Sequence, residues 1–277
     1  MTDDGAEDLL AVLKIIAERA GKEILAYYVE GEAAPEVRHK ADDSPVTDAD
    51  EAAEAFILEA LAKLTPDIPV VSEEAASAGH IPEVSGGRFW LVDPLDGTKE
   101  FISRNGEFTV NIALVEDGRP TAGIVHAPAL AMTWSGALGH EGGAGAGTGA
   151  RDGGAAVATY SETDREPVAI RVRAVPADGV VVIASRRHGS GEELEAFLAR
   201  YKVKDQVSAG SSLKFCLVAS GRADLYPRFG RTMEWDTAAG HAVLLAAGGR
   251  VETQDGQPLT YGKPGFENPY FIAKGAD

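Results

Sequence analysis

The chain has 277 residues, of which 44% are hydrophobic and 25% are charged, a composition typical of globular proteins. The only cysteine, Cys216, excludes an intrachain disulfide framework and any metal site built from several cysteines. The net charge of −17 disfavours a nucleic-acid polymer as partner, and no apolar run is long enough to span a membrane. Because the N-terminus is acidic rather than basic, we expect no signal peptide and a protein of a reducing compartment.

The first half of the chain mixes two amphipathic helices with several short strands. Apolar residues at helical spacing predict one helix from Leu9 to Tyr28 and a second that begins near Asp48. Runs rich in β-branched and aromatic residues predict strands at 69–72, 89–92, 109–115, 121–125 and 132–135. The dipeptide Asp117-Gly118 between two of these runs predicts a hairpin turn.

Strands and helices alternate more regularly in the second half. The patterns predict strands at 168–172, 180–184, 224–226, 250–253 and 270–273, and helices at 192–201, 211–220 and 237–247. Between the halves, residues 139–156 are mostly Gly and Ala, which favours a loop at a hairpin tip or between domains. We therefore predict an α/β fold with two subdomains, an N-terminal one at 1–155 and a C-terminal one at 156–277.

The most informative motif is an apolar strand that runs into two carboxylates, Asp93 and Asp96, with Pro94 and Gly97 at the bend. A plain strand-to-loop turn explains this spacing equally well, because Asp-Pro and Asp-Gly are common turn dipeptides. However, strand ends are where α/β folds place ligands, and two acids there repel each other without a cation between them. Hard oxygen ligands, including the Leu95 carbonyl, favour magnesium over zinc.

Two further groups of acidic residues lie at the ends of other predicted strands and helices. Glu73 and Glu74 follow a β run, where a helix start is the alternative interpretation. Asp236 precedes the helix predicted at 237–247 and would also serve as its N-cap. Similarly, Asp50 would form a capping box with Thr47, an interpretation as strong as a functional role for its carboxylate. The three carboxylate clusters together favour one shared metal site.

Other chemistries are not supported by the sequence. The glycine pattern at 145–150 lacks a preceding strand and a following apolar helix, so it does not predict a dinucleotide site. A serine-hydrolase G-x-S-x-G motif, a Walker-type loop and an H-E-x-x-H motif are all absent from the sequence. Cys216 and His241 fall in apolar stretches, and we expect both to be packing residues.

The separated motifs Glu73-Glu74, 93–98 and 235–240 together resemble the inositol monophosphatase superfamily of magnesium-dependent, lithium-sensitive phosphatases. Within it, the segments at 44–47, 210–219 and 226–230 resemble the bacterial 3'(2'),5'-bisphosphate nucleotidase branch. The resemblance spans residues 8 to 275 and implies the layered αβαβα sandwich of that superfamily.

The resemblance also implies roles for individual residues. Two or three Mg²⁺ ions would be held by Glu73, Asp93, Asp96, Asp236 and the Leu95 carbonyl, and Li⁺ would inhibit. The catalytic residues would be Asp50, Thr98 and Glu73, with Asp50 orienting Thr98 to position the attacking water. The substrate would contact the backbone of Gly97 and Thr98 together with His188, Ser211, Lys214, Arg228 and Asp236. His188 lies in a stretch, 185–188, that departs from the family pattern at one position.

The resemblance therefore implies a phosphomonoesterase that removes the 3'-phosphate of adenosine 3',5'-bisphosphate, a by-product of sulfate assimilation, leaving AMP. The alternatives are inositol monophosphatase or fructose-1,6-bisphosphatase activity at the same metal site, and a nucleotide-binding regulator without turnover. We expect a monomer or homodimer in the cytoplasm, with peripheral attachment to the inner membrane as the alternative location.

Overall fold

The computed structural model describes residues 3–28, 38–39, 45–139, 156–185 and 191–276. The helices in these ranges are α1 Asp3–Ala26, α2 Asp48–Leu64, α3 Glu73–Ser77, α4 Thr98–Ile102, α5 Glu192–Leu198, α6 Leu213–Ala219 and α7 Ala238–Ala246. The first nine strands are β1 Arg38–His39, β2 Pro45–Val46, β3 Val70–Ser72, β4 Arg88–Asp96, β5 Thr109–Glu116, β6 Arg119–Ala127, β7 Met132–Ala137, β8 Val157–Glu162 and β9 Val168–Ala169. The other five are β10 Val180–Ala184, β11 Val203–Ser208, β12 Leu225–Arg228, β13 Arg250–Thr253 and β14 Phe271–Lys274.

Two large sheets organise the described part of the chain. The seven-stranded sheet has the order β3-β4-β5-β6-β7-β8-β9, and all its pairs are antiparallel except β3 with β4. The five-stranded sheet is mixed and has the order β11-β10-β12-β14-β13. The Asp117-Gly118 turn predicted from the sequence connects β5 and β6, and both residues have positive φ, at 50° and 77°. Such angles suit the hairpin turns that match strand twist.

The layers follow the order helix, sheet, helix, sheet, helix. One face of the seven-stranded sheet packs against α1 and α2, with Trp90 and Ile112 fully buried between them. Its other face packs against α6 and α7, which in turn contact the five-stranded sheet around Phe271. Helix α5 covers the outer face of that second sheet through Phe197. The predicted αβαβα sandwich is confirmed.

Helix α7 lies unusually close to the large sheet. A Cβ atom at Gly123 in β6 would lie 2.7 Å from the Ala239 carbonyl oxygen of α7. A Cβ atom at Gly136 in β7 would lie 2.6 Å from the Cα of Val243, one turn further along. Real Cβ atoms do not approach so closely, so these two glycines set the depth of the helix on the sheet.

Several expectations about the second half need correction. The strand expected at 168–172 is only β9, and the helices expected at 192–201 and 211–220 are shorter, as α5 and α6. We did not predict β11, whose polar residues lie exposed at a sheet edge, nor the two-residue strands β1 and β2.

Residues 140–155 of the Gly/Ala stretch lie outside the described residues. The strands on either side of it pair directly, with Ala137 opposite Val157. The seven-stranded sheet therefore continues past residue 155 to β9, and the division into subdomains at 155 remains a prediction. Among the described helices, none combines the length and the hydropathy needed to cross a membrane.

Candidate active site

Asp93 and Asp96 sit at a bulge at the end of β4. Asp93 pairs with Asn111 of β5 and Asp96 pairs with Thr109, so β4 contains one extra residue in this interval. Side chains alternate between the two faces of a strand, and without the extra residue positions 93 and 96 would point to opposite faces. The bulge, which contains Pro94, therefore turns both carboxylates toward the same side. The Leu95 side chain between them is buried in the opposite core.

Glu73 reaches the same region from the neighbouring strand. β3 runs parallel to β4 with Ser72 opposite Val92, so Glu73 at the start of α3 lies beside Asp93. Glu73 is thus at the helix start that the alternative interpretation expected, and it also lies next to Asp93. Glu54 of α2 supports this turn, because its carboxylate accepts hydrogen bonds from the Ser72 hydroxyl and, at 3.1 Å, from the Ala75 N–H.

Asp236 comes from the other side of the molecule, at the turn before α7. Its Oδ2 accepts a hydrogen bond from the Met233 N–H at 2.8 Å, and the residue at the N-cap of α7 is Thr237. The interpretation of Asp236 as the helix cap is therefore wrong, because its carboxylate closes the preceding turn instead. One carboxylate oxygen is bonded in that turn, and the other remains for the site.

The buried residue Glu234 holds the turn that carries Asp236. Its carboxylate accepts hydrogen bonds from the N–H groups of Gly262 and Lys263, at 2.7 and 2.9 Å, and pairs with the Lys263 ammonium at 2.7 Å. We did not assign Glu234 a role from the sequence. Its place two residues before Asp236 in an acidic motif is the signal that could have suggested one.

Three of the expected metal ligands converge. Glu73, Asp93 and Asp236 each offer a carboxylate oxygen, and these atoms all lie within 4.8 Å of one another. Asp96 does not join that group, although it lies close enough for its negative charge to act on Asp236. Burial, reinforced by the charges of Asp96 and Glu73, raises the pKa of Asp236 to about 8.

Burial also raises the pKa of Asp96 to about 6, against the opposing effect of the Lys214 charge. Carboxyl groups this close resist losing their protons together unless a cation offsets the repulsion. A convergent set of carboxylate oxygens without histidine or cysteine has the chemistry that Mg²⁺ prefers. The residues therefore fit a magnesium site, with the Leu95 carbonyl 3.4 Å from Thr98 Oγ1 at its edge.

Asp50 combines the two roles that the sequence left open. Its Oδ2 accepts hydrogen bonds from the Thr47 N–H at 2.8 Å and from the Thr47 hydroxyl at 2.6 Å, which ties it to the start of α2. Its Oδ1 accepts a hydrogen bond from the Thr98 hydroxyl at 3.2 Å. One carboxylate therefore stabilises the helix and orients Thr98. Glu54, to which we gave no role from the sequence, lies one turn later on the same face of α2, and this spacing is the signal that could have suggested it.

A pocket of about 210 Å³ opens beside the carboxylates. It contains the expected site residues Asp96, Gly97, Ser211, Lys214, Arg228 and Asp236, and its other lining residues are Lys99, Glu100, Ser185, Ala209, Gly210, Phe215, Tyr226, Thr232 and Thr237. Arg228 Nε is buried and has no hydrogen-bond partner within the described ranges of the chain. His188 lies outside the described residues.

Ser211 and Lys214 are engaged with the protein main chain as well as lining the pocket. The Ser211 hydroxyl oxygen lies 2.8 Å from the carbonyl oxygens of both Asp96 and Glu107. The buried Lys214 ammonium donates to the Ser211 carbonyl at 2.6 Å, and burial lowers its pKa to about 8. The Lys214 ammonium is therefore already bonded to the main chain, whereas Arg228 Nε has no hydrogen-bond partner among the described residues.

The remaining packing expectations hold. Cys216 is fully buried in the core, and burial raises its pKa. His241 is buried on α7, where its Nδ1 lies 2.9 Å from the Tyr261 hydroxyl.

Comparison with known proteins supports the family that the sequence motifs resemble. The profile of the inositol monophosphatase family matches residues 6–270. The 3'(2'),5'-bisphosphate nucleotidase CysQ of Salmonella typhimurium is 46% identical over 257 residues, which cover 92% of this chain and 95% of the relative. The same-named protein of Escherichia coli K12 is 45% identical with the same coverage.

Among solved structures, CysQ from Bacteroides thetaiotaomicron, a bacterial member of the inositol monophosphatase family, superposes with a TM-score of 0.74. It is 36% identical, and the alignment covers 98% of each chain. The resemblance indicated by the sequence motifs is thereby confirmed, for the superfamily and for its nucleotidase branch. The chain belongs to the inositol monophosphatase family.

Proposed function

We propose that this chain is a Mg²⁺-dependent phosphomonoesterase that hydrolyses the 3'-phosphate of adenosine 3',5'-bisphosphate to give AMP and phosphate. The observation that carries the proposal is the convergence of Glu73, Asp93 and Asp236 within 4.8 Å, since Asp236 also lines the pocket that contains Arg228. The names of the CysQ relatives support the nucleotide as substrate.

The carboxylates would hold the cations. Glu73, Asp93 and Asp236, with Asp96 and the Leu95 carbonyl at the margin, would bind two or three Mg²⁺ ions. When bound, these ions supply positive charge that neutralises the phosphate ester and makes water more acidic. Li⁺ would compete for the same oxygens and inhibit.

Thr98 and Asp50 would manage the attacking water. The Thr98 hydroxyl donates its own hydrogen to Asp50 at 3.2 Å, so its lone pairs can accept a hydrogen from a water molecule. Proton transfer from that water would pass through the hydroxyl to the Asp50 carboxylate. Glu73, which would share in activating the water, lies at the start of α3 beside Asp93.

The phosphate would bind against the turn at Gly97 and Thr98, where α4 begins. Gly97 has a φ of 93°, a conformation that favours glycine, and a Cβ there would lie 2.2 Å from Ser211 Oγ. Backbone N–H groups at such a turn suit a phosphate oxygen. The bare backbone of Gly97 thus lets the Ser211 hydroxyl pack against this turn.

The second phosphate of the nucleotide would lie toward Arg228. The buried Nε of this residue lacks a hydrogen-bond partner in the part of the chain that the structure describes, and such donors are rarely left unsatisfied. Arg228 would therefore distinguish a bisphosphate from a monophosphate. We expect a monomer or homodimer that works in the cytoplasm on small phosphorylated substrates.

The decisive experiment is a substrate panel with Mg²⁺, measured by phosphate release. We expect adenosine 3',5'-bisphosphate to be hydrolysed faster than inositol 1-phosphate or fructose 1,6-bisphosphate, and the activity to fall when Li⁺ is added. Faster turnover of inositol 1-phosphate would favour the alternative that the family name suggests. Nucleotide binding without hydrolysis of any panel member would indicate a regulator.

A further inference from the structure

Two consecutive serines, Ser211 and Ser212, connect the two parts of the molecule that supply the carboxylates. Asp96 belongs to the large sheet, and Asp236 lies in the turn before α7. The serines stand directly before α6, between these two regions in space. We propose that Ser211 and Ser212 are positioning residues, whose hydroxyls fix Asp96 and Asp236 relative to each other for metal binding. This inference rests on the function proposed above.

Ser211 holds the main chain at Asp96. Its hydroxyl oxygen lies 2.8 Å from the Asp96 carbonyl oxygen and 2.8 Å from that of Glu107, so its one hydrogen is shared between them. Ser211 has a φ of 49°, which non-glycine residues adopt at a cost. The N–H of the preceding residue, Gly210, also donates to the Glu107 carboxylate at 2.7 Å, so hydrogen bonds to Glu107 from both residues stabilise this conformation.

Ser212 holds the main chain at Asp236. Its hydroxyl donates to the Asp236 carbonyl oxygen at 2.8 Å, and the residue is only 1% exposed. The same hydroxyl oxygen accepts a hydrogen bond from Asn111 Nδ2 at 3.0 Å. The Asn111 amide also lies 3.3 Å from Asp96 Oδ2. The two adjacent serines are therefore bonded to Asp96 directly through Ser211 and indirectly through Asn111, and the Ser212 hydroxyl connects this group to Asp236.

This arrangement differs from the substrate-contact role that we expected for Ser211. A hydroxyl already shared between two carbonyl oxygens has no hydrogen left for a nucleotide. What Ser211 and Ser212 have in common is that each bonds to the carbonyl of a proposed metal-site residue. Groups that orient metal ligands typically contribute about 10- to 100-fold in metal affinity or activity.

The test is Mn²⁺ binding to the purified full chain, followed by the loss of the free-ion electron paramagnetic resonance signal. We expect Ser212→Ala to raise the Mn²⁺ dissociation constant at least about 10-fold. The matched control is Ser220→Ala, at the other end of α6. Its hydroxyl also makes two hydrogen bonds, to the Cys216 carbonyl at 2.8 Å and from Trp134 Nε1 at 3.1 Å. It has no link to the carboxylates, so we expect its Mn²⁺ affinity to stay within about 2-fold of wild type.

A second variant keeps the inference testable if Ser212→Ala fails to fold. Ser211→Gly removes the other hydroxyl at a position whose positive φ suits glycine. We expect it to weaken Mn²⁺ binding by about 10-fold while the circular dichroism spectrum stays unchanged. Wild-type Mn²⁺ affinity in either folded serine variant would overturn the inference. If wild type itself neither bound Mn²⁺ nor released phosphate from any panel substrate, the proposed function would fail instead.

Discussion

The two walls of the pocket are built from different kinds of structure. Asp93 and Asp96 stand on a strand whose flanking residues, Val92 and Leu95, are fully buried and whose neighbours on both sides are strands of the same sheet. The wall that would contact the nucleotide is made of turns, of the start of α6, and of β12, which belongs to a smaller sheet with the exposed edge strand β11.

This difference matches the separate demands of the two tasks. Metal ligands must hold their geometry closely, and strands inside a packed sheet provide that rigidity. Substrate contacts vary with the substrate, and turns can vary without disturbing the core. We call Glu73, Asp93 and Asp96 the acidic wall, and we expect substitutions there to lower the rate of hydrolysis of every substrate. Changes in the opposite wall should affect the choice among substrates.

The largest effect is expected from Asp96→Asn, in the acidic wall. Removing this charge takes away part of the electrostatic support for the cations, and the rate should fall at least about 100-fold on every substrate of the panel. Steady-state phosphate release with saturating Mg²⁺ measures it. A variant with a near-normal rate would contradict the placement of Asp96 at the metal site.

Thr98→Ala should lower kcat by about 50-fold, because the water loses the hydroxyl that positions it. The thermal midpoint should change little, since Asp50 keeps its hydrogen bonds to Thr47. Thr98→Ser is the matched control, because it preserves the hydroxyl and should preserve most of the rate. Equal losses in both variants would assign the methyl group, not the hydroxyl, as the functional part.

A pH effect should come from two buried histidines, one on each face of the large sheet. Burial lowers the pKa of His126 in β6 to about 4 and of His241 in α7 to about 3, while an unfolded histidine titrates near its ordinary value. At these two positions the unfolded chain therefore binds more protons below neutral pH, and the histidines' contribution to stability is lost as the pH falls. The raised pKa values of Asp96 and Asp236 act in the opposite direction, so the contribution of each histidine is measured as a difference between variants. The loss should be about 2 kcal/mol per histidine between pH 7 and pH 5.

Urea unfolding at several pH values and constant Mg²⁺ measures this dependence. His126→Gln should reduce the slope of the unfolding free energy with pH, whereas the exposed His80→Gln should leave it as in wild type. An unchanged slope in His126→Gln would show that His126 is not the source.

The smallest effect is expected from Arg228→Ala, in the opposite wall. KM for adenosine 3',5'-bisphosphate should rise about 10-fold through the lost charged hydrogen bond, and KM for a monophosphate should change little. Arg231→Ala is the control, because Arg231 is exposed and its side chain pairs with Glu267 at 3.3 Å. Equal effects of Arg228→Ala on both substrates would assign Arg228 a general role.

Much of the acidic wall could be predicted from the sequence. Asp93, Asp96 and Glu73 come at the ends of strongly apolar runs, so their position was readable from the local pattern. The capping role of Asp50 was equally local, and its second oxygen accepts a hydrogen bond from the Thr98 hydroxyl.

What could not be predicted depends on contacts between distant segments. Nothing local shows that Ser211 lies against Asp96, because the two residues meet only after the halves pack. The cap of α7 was assigned to Asp236 instead of Thr237, since both residues favour caps and tertiary contacts decided between them. Strand β11 was missed because an exposed edge strand needs no apolar pattern.

The close approach of α7 to the large sheet has a consequence for the residues just before that helix. Gly123 and Gly136 let the helix sit deep, and Asp236 leads directly into its first turn. A methyl group at either glycine would lift α7 outward and carry Asp236 away from Asp93 without touching either acid. The position of Asp236 thus depends on two glycines beneath the helix. Measuring the metal affinity of variants substituted at these glycines would show how far Asp236 can move before the cation site is weakened.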